Sequence, residues 1–156
     1  MLTTVNLPIC SIIGSAAFYN CTSLTTIDLP ACTVVSNSAF NGCRSLTTIN
    51  LPICSTIGSA VFYNCSSLTT IDLPACTTIG NSAFRSCYKL LSLYLRASTV
   101  CTLSNSSAFM STPIARYTNY TGGVYGSIFV PASLVDAYKT ATNWTYFKSR
   151  ITAIPE

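Results

Sequence analysis

Leu24 to Ser45 reads Leu-Thr-Thr-Ile-Asp-Leu-Pro-Ala-Cys-Thr-Val-Val-Ser-Asn-Ser-Ala-Phe-Asn-Gly-Cys-Arg-Ser. The same 22-residue unit starts at Leu2, Leu24, Leu46 and Leu68, and again in irregular form at Leu90. A unit this short cannot close a hydrophobic core alone, so regular recurrence predicts a stack in which each rung is covered by its neighbours. Within the unit, Ile-x-Leu alternates as a short strand does, and Pro8, Pro30, Pro52 and Pro74 each end it. The following Cys-x-x-Ile-Gly reads as a second extended piece turned by Gly14, Gly58 and Gly80, with Ser36 in place of glycine in the second rung. Ala-Phe-x-x-Cys then suits one helical or 3₁₀ turn with its Phe inward. Stacked rungs give parallel ladders spaced about 4.7–4.9 Å apart.

The consensus Leu-x-x-Ile-x-Leu resembles the leucine-rich repeat. With its Leu-Pro, Ile-Gly and Ala-Phe-x-x-Cys, the whole unit is similar to the subclass found in BspA-like bacterial and protozoan surface proteins, and the likeness covers residues 2–109. The expected fold is a repeat solenoid: a right-handed leucine-rich repeat coil of parallel β-ladders with short 3₁₀ or helical turns, spanning residues 1–114. A small α/β cap is expected over residues 115–156. The resemblance implies adhesion through host proteins or glycans and a place outside the cell, on its surface or on a virion. It assigns no fixed binding residues.

Rungs one and three share Leu-Pro-Ile-Cys and Phe-Tyr-Asn-Cys, whereas two and four share Ile-Asp-Leu-Pro-Ala-Cys, a 44-residue super-period that points to duplication of a pair. After Leu95 the register fails, although Leu103 and Ala108-Phe109 persist after a longer first half. Tyr117 to Gly126 reads as a loop or hairpin; its Gly122-Gly123-Val124-Tyr125-Gly126 lacks the Lys-Ser/Thr and following helix of a phosphate loop. Ser127 to Val130 reads as a strand closed by Pro131. Ser133-Leu-Val-Asp136 resembles a capping box opening a helix over about 133–143, with Leu134, Tyr138 and Ala141 on its apolar face. Trp144 and Phe147 are expected beneath it, and Ile151 to Ile154 as a last strand. This tail is similar to the terminal module of leucine-rich-repeat proteins from gut Firmicutes and their prophages.

Half of the residues are apolar and only 8% are charged, so surface polarity must come from hydroxyls and amides. No apolar run approaches the roughly 18–20 residues of a spanning helix, which argues against membrane insertion. The net charge of +4 is uneven: up to Phe84, Arg44 stands against Asp28 and Asp72, while the other seven basic residues face only Asp136 and Glu156. No Lys/Arg cluster is interleaved with aromatics, so a nucleic-acid partner is not expected. Met1 leads straight into the first rung with no signal-peptide pattern. A solenoid needs polar caps, so an N-terminal neighbour or capping partner is expected, with this chain a fragment of something longer.

Eight of the nine cysteines recur every 11 residues, from Cys10 to Cys87, and Cys101 lies slightly out of step. Two per rung predicts two stacked columns of core-filling thiols on opposite walls. Neighbours in a parallel ladder have parallel Cβ vectors, which disfavours disulfides. Without Cys-x-x-Cys or any histidine, a metal site is not expected, and triad chemistry and His-bearing sites are excluded. So many thiols fit a reducing or anaerobic setting. No cofactor motif is present.

The informative surface is the outward side of the first strands. One column holds Thr4, Thr26, Thr48 and Thr70; beside it run Asn6, Asp28, Asn50 and Asp72, continued by Ser92 and Tyr94. Asp28 and Asp72 should lie roughly 10 Å apart on this ladder, near the spacing of inverting glycosidases. Asn50 between them and the lack of a pocket disfavour an enzyme. A flat array of hydroxyls and amides suits a protein or glycan ligand held by many modest hydrogen bonds. It is equally what a soluble strand surface of β-favouring Thr looks like.

Overall fold

A computed structural model of the chain describes residues 1–115 and 125–156. The loop or hairpin expected at Tyr117 to Gly126 lies almost wholly outside the described residues.

Each rung contributes two short strands, in chain order β1 (Thr4–Asn6), β2 (Ile12–Ile13), β3 (Thr26–Asp28), β4 (Val34–Val35), β5 (Thr48–Asn50), β6 (Thr56–Ile57), β7 (Thr70–Leu73), β8 (Thr78–Ile79), β9 (Ser92–Leu95) and β10 (Thr102–Leu103). The even-numbered strands form one five-stranded sheet of order β10-β8-β6-β4-β2. All observed pairings are parallel and keep the 22-residue register through the fourth rung, as in Thr4↔Thr26 and Ile13↔Val35. The apolar position of each unit faces inward: Leu24, Ile27, Leu29, Leu46, Leu68 and Leu73 are fully buried. In the first rung Leu2, Leu7 and Ile9 are exposed.

The ladder of first strands is less uniform than the repeat implies. It consists of two hydrogen-bonded sheets, β1-β3-β5 and β7-β9-β11-β12, where β11 is Ser127–Val130 and β12 is Ile151–Ala153. β5 lies beside β7 without ladder pairing, and Ile49 on β5 is only half-buried.

Gly14, Gly58 and Gly80 follow the second strands where the chain turns, with Ala17 and Ala83 bonded back to the Gly14 and Gly80 carbonyls. None of the three has a left-handed backbone, and the closeness of the rungs gives glycine a further reason to stand there. A Cβ on Gly80 would stand 2.5 Å from the Gly58 carbonyl carbon, and one on Gly58 would stand 2.9 Å from the Asn37 nitrogen. Around Gly14, which has no preceding rung, such an atom would meet nothing within 4 Å. The left-handed residues come later in each rung: Ala16, Ser38, Ala60 and Ser82 at φ 54–58°, then Asn20, Gly42, Asn64 and Ser86 at φ 57–77°.

These residues also explain why Ala-Phe-x-x-Cys is not helical in the first four rungs. Overlapping turns replace the helix, with Ala17 N–H bonded to the Gly14 carbonyl, Tyr19 to Ala16 and Cys21 to Phe18. A positive φ at the third residue of such a turn is the type II arrangement. The turns stack as a third hydrogen-bonded column: Ala16, Phe18 and Asn20 donate N–H to the carbonyls of Asn37, Ala39 and Asn41 in the next rung. A 3₁₀ helix at Ser106–Phe109 appears only in the fifth rung, where Asn105 caps it through its side chain. Inside the turns runs a spine of parallel rings, Phe18, Phe40, Phe62, Phe84 and Phe109, with centroids 5.2–5.8 Å apart.

All nine thiols are free, seven of them buried. In one column Cys32, Cys54 and Cys76 donate S–H to the carbonyl two residues on; in the other Cys43, Cys65 and Cys87 donate to Phe18, Phe40 and Phe62 of the preceding rung. Burial pushes the Cys43 thiol up to about 11 and those of Cys54 and Cys87 up to about 12.

At the C-terminal end, β11 pairs in parallel with β9, and β12 with β11, so the strand ladder runs on past the repeats. The expected capping box is absent. A 3₁₀ turn at Ala132–Leu134 leads into α1 (Val135–Thr140), and neither start carries a side-chain cap. Pro131, whose ring fixes its own φ, stands as the N-cap of the 3₁₀ turn. Tyr138 is buried and Leu134 and Ala141 pack against the core, as the periodicity implies. Trp144 and Phe147 close the Phe spine, their rings 6.1 and 5.3 Å from Phe109.

Candidate functional site: the outward strand face

Period-two alternation turns Thr4, Thr26, Thr48 and Thr70 outward on β1, β3, β5 and β7, with Asn6, Asp28, Asn50 and Asp72 in the column beside them. Thr4, Thr48, Thr70, Asn6 and Asn50 are exposed; Thr26, Asp28 and Asp72 are half-exposed. In the second and third rungs the two kinds of threonine have different employment. Thr25 and Thr47, at the rim, donate their hydroxyls to backbone carbonyls of the preceding rung. Among the described residues no side-chain hydrogen bond engages the hydroxyls of Thr4, Thr26, Thr48 or Thr70, which leaves that column available to an outside partner.

The second column is partly spent on itself. Asn50 Nδ2 donates to Asp28 Oδ1 at 2.7 Å. Asp72 accepts both bonds from Arg96 Nε, at 3.0 and 2.9 Å. The two carboxylates expected to stand as a pair are thus held by different neighbours, on opposite sides of the β5–β7 junction. A general acid and base would need one of them to be desolvated or unpartnered; here both serve as hydrogen-bond acceptors on an open surface.

Tyr94 ends the sequence-derived set, and the structure adds two residues around it. Arg96 lies over the Tyr94 ring, 5.0 Å from its centroid, and Phe129 of β11 stacks on the same ring at 4.6 Å. The register Phe129↔Tyr94 produces that stack. Arg96 was legible as the next outward residue after Ser92 and Tyr94. Phe129 was not, because its place follows from β11 joining the ladder. Asp72, Arg96, Tyr94 and Phe129 form one contiguous cluster, whereas Thr4 and Asn6 lie at the open end.

A stack of two-strand rungs with a buried Leu/Ile/Phe interior and a flat polar strand face defines the leucine-rich repeat class, whose members serve generally as binding or scaffold modules. Residues 2–122 match the model of the BspA type leucine rich repeat region in six copies, and the chain belongs to that family. Three solved bacterial structures share the architecture. The leucine-rich repeat protein of T. pallidum is 26% identical with a TM-score of 0.68, over 85% of this chain and 60% of that one. A leucine-rich repeat protein of Bacteroides ovatus is 23% identical (TM-score 0.61, 83% of this chain, 40% of that one). A leucine rich cell surface protein of Faecalibacterium prausnitzii is 24% identical (TM-score 0.59, 98% and 39%). The chain therefore spans between about two fifths and three fifths of the proteins it resembles. A search of curated proteins gave no match. Among the described residues no helix is long and apolar enough to cross a membrane.

Proposed function

We propose that this chain is a non-catalytic binding module of a bacterial surface or phage-associated protein, recognising a protein or glycan through its outward strand face. The observation that carries the reading is the division of labour among threonines. The rim hydroxyls of Thr25 and Thr47 are consumed by the neighbouring rung, while Thr26 and Thr48 beside them keep their hydrogen-bonding capacity. A partner laid along the ladder meets one free hydroxyl per rung, spaced about 4.8 Å apart, with amide and carboxylate groups alongside. Each such bond contributes modestly, about 0.5–1.5 kcal/mol, so recognition depends on many rungs together. Adhesion in a gut bacterium, and placement at the cell surface like the F. prausnitzii protein, belong to the same proposal.

The test applies the purified chain to a mixed array of glycans and extracellular-matrix proteins, beside a variant carrying Thr26→Ala, Asp28→Ala, Thr48→Ala and Asn50→Ala. A ligand bound by the first and lost by the second is the expected result. A chain that binds nothing would leave the solenoid as a spacer displaying other parts of its parent protein, and a variant that binds as well would put the ligand on another surface.

A further inference from the structure

The one place where the ladder slips brings two thiols together. In the regular rungs the cysteines of a column sit directly above one another, with parallel side-chain directions. Between Leu95, still paired with Leu73, and Thr102, paired with Thr78, the chain carries two extra residues. Cys101 therefore stands level with Thr77, one step beyond Cys76. A one-step diagonal on a parallel ladder separates Cα atoms by roughly 6 Å, inside the roughly 4.4–6.8 Å that disulfides span. The two sulfurs are 4.0 Å apart and both residues are fully buried.

We propose that Cys76 and Cys101 are a disulfide-forming pair, which oxidation joins into a staple between the fourth and fifth rungs. With hydrogen peroxide as oxidant, the thiolate of one cysteine attacks a peroxide oxygen, the O–O bond breaks and a sulfenic acid forms with loss of hydroxide. The second thiol attacks that sulfur; the S–S bond forms, the S–O bond breaks and water leaves. Two thiols and one peroxide thus give one disulfide and two waters. A cleft of about 440 Å³ between Val100–Ser104 and Ala141–Trp144 lies beside Cys101, and a small oxidant reaches the buried thiols from there through local opening.

The staple would lie where the C-terminal segment grips the last rung. The Cys101 N–H donates to Tyr138 Oη at 2.9 Å, and the Cys101 carbonyl accepts from Trp144 Nε1 at 2.6 Å. A bond from Cys76 to Cys101 adds a covalent tie to the same residue, so it should hold the end of the coil shut. This assignment is independent of any ligand on the strand face.

The experiment exposes the full chain to a few equivalents of hydrogen peroxide overnight, blocks remaining thiols by alkylation, and maps peptides by mass spectrometry. One cross-link joining Cys76 to Cys101, with the other seven cysteines alkylated, is the expected map. The linked protein should melt at a higher temperature than the reduced one, and Cys101→Ala should abolish that rise. Alkylated Cys76 and Cys101 after exposure, a link between other cysteines, or a melting temperature that falls on linking overturns the proposal. The wild-type map decides the matter even where the variant fails to fold.

Discussion

Ala16, Ser38, Ala60 and Ser82 hold a left-handed backbone that costs an L-residue about 1–2 kcal/mol. The stacked turns offset this by satisfying their N–H groups on the next rung. This was the least legible part of the sequence, since Ala and Ser carry no signal for positive φ. The companion position did carry one: Asn20, Gly42 and Asn64 recur every 22 residues, and Asn and Gly are the residues that tolerate this region. The thiols were legible as core. Their burial has a consequence at high pH. The unfolded chain releases thiol protons near the ordinary value of 9.0, whereas the native chain keeps them until about 11 at Cys43 and 12 at Cys54 and Cys87. Stability should be complete below pH 9 and fall as the pH rises toward those native values. Each thiol steepens the loss by up to about 1.4 kcal/mol per pH unit between its two values. Melting temperatures measured across this range should drop steeply; a flat profile would contradict burial of the thiols.

At the scale of elements, the strands followed from period-two alternation and terminal prolines, and α1 from the spacing of Leu134, Tyr138 and Ala141. Ser133 and Asp136 suggested a capping box, but neither the 3₁₀ turn nor α1 starts with a side-chain cap. The turn at the glycines was visible, but their second role was not, because contact between rungs is a tertiary property. Gly80→Ala, which would drive a methyl group into the Gly58 backbone, should destabilise by about 1–3 kcal/mol. Gly14→Ala, the same change at the uncovered rung, should leave the melting temperature within a degree or so. Equal effects at the two sites would mean that rung contact is not what glycine serves. Phe129 illustrates the remaining blind spot: strand β11 was readable, but which strand it would pair with was not, and that pairing puts Phe129 against Tyr94.

For the whole molecule, the Phe spine and the three stacked columns make a quasi-one-dimensional body whose ends differ. Among the described residues Ile9 and Ile12 of the first rung are exposed, while Tyr138, Trp144 and Phe147 are buried against the last. Trp144→Ala would open a cavity above Phe109 and remove the bond to the Cys101 carbonyl, at a cost of about 3–5 kcal/mol. Chemical denaturation should register that loss, and a variant as stable as wild type would show that the end of the coil needs no such closure. The central claim concerns the side of the coil. The most direct measurement compares ligand affinity for three proteins: wild type, the variant with Thr26, Asp28, Thr48 and Asn50 changed to Ala, and one with Thr56→Ala and Thr78→Ala on the second ladder. Affinity lost in the first variant and kept in the second is the result expected of a strand-face binding module. Equal affinity in all three, or loss only through the second ladder, would contradict it.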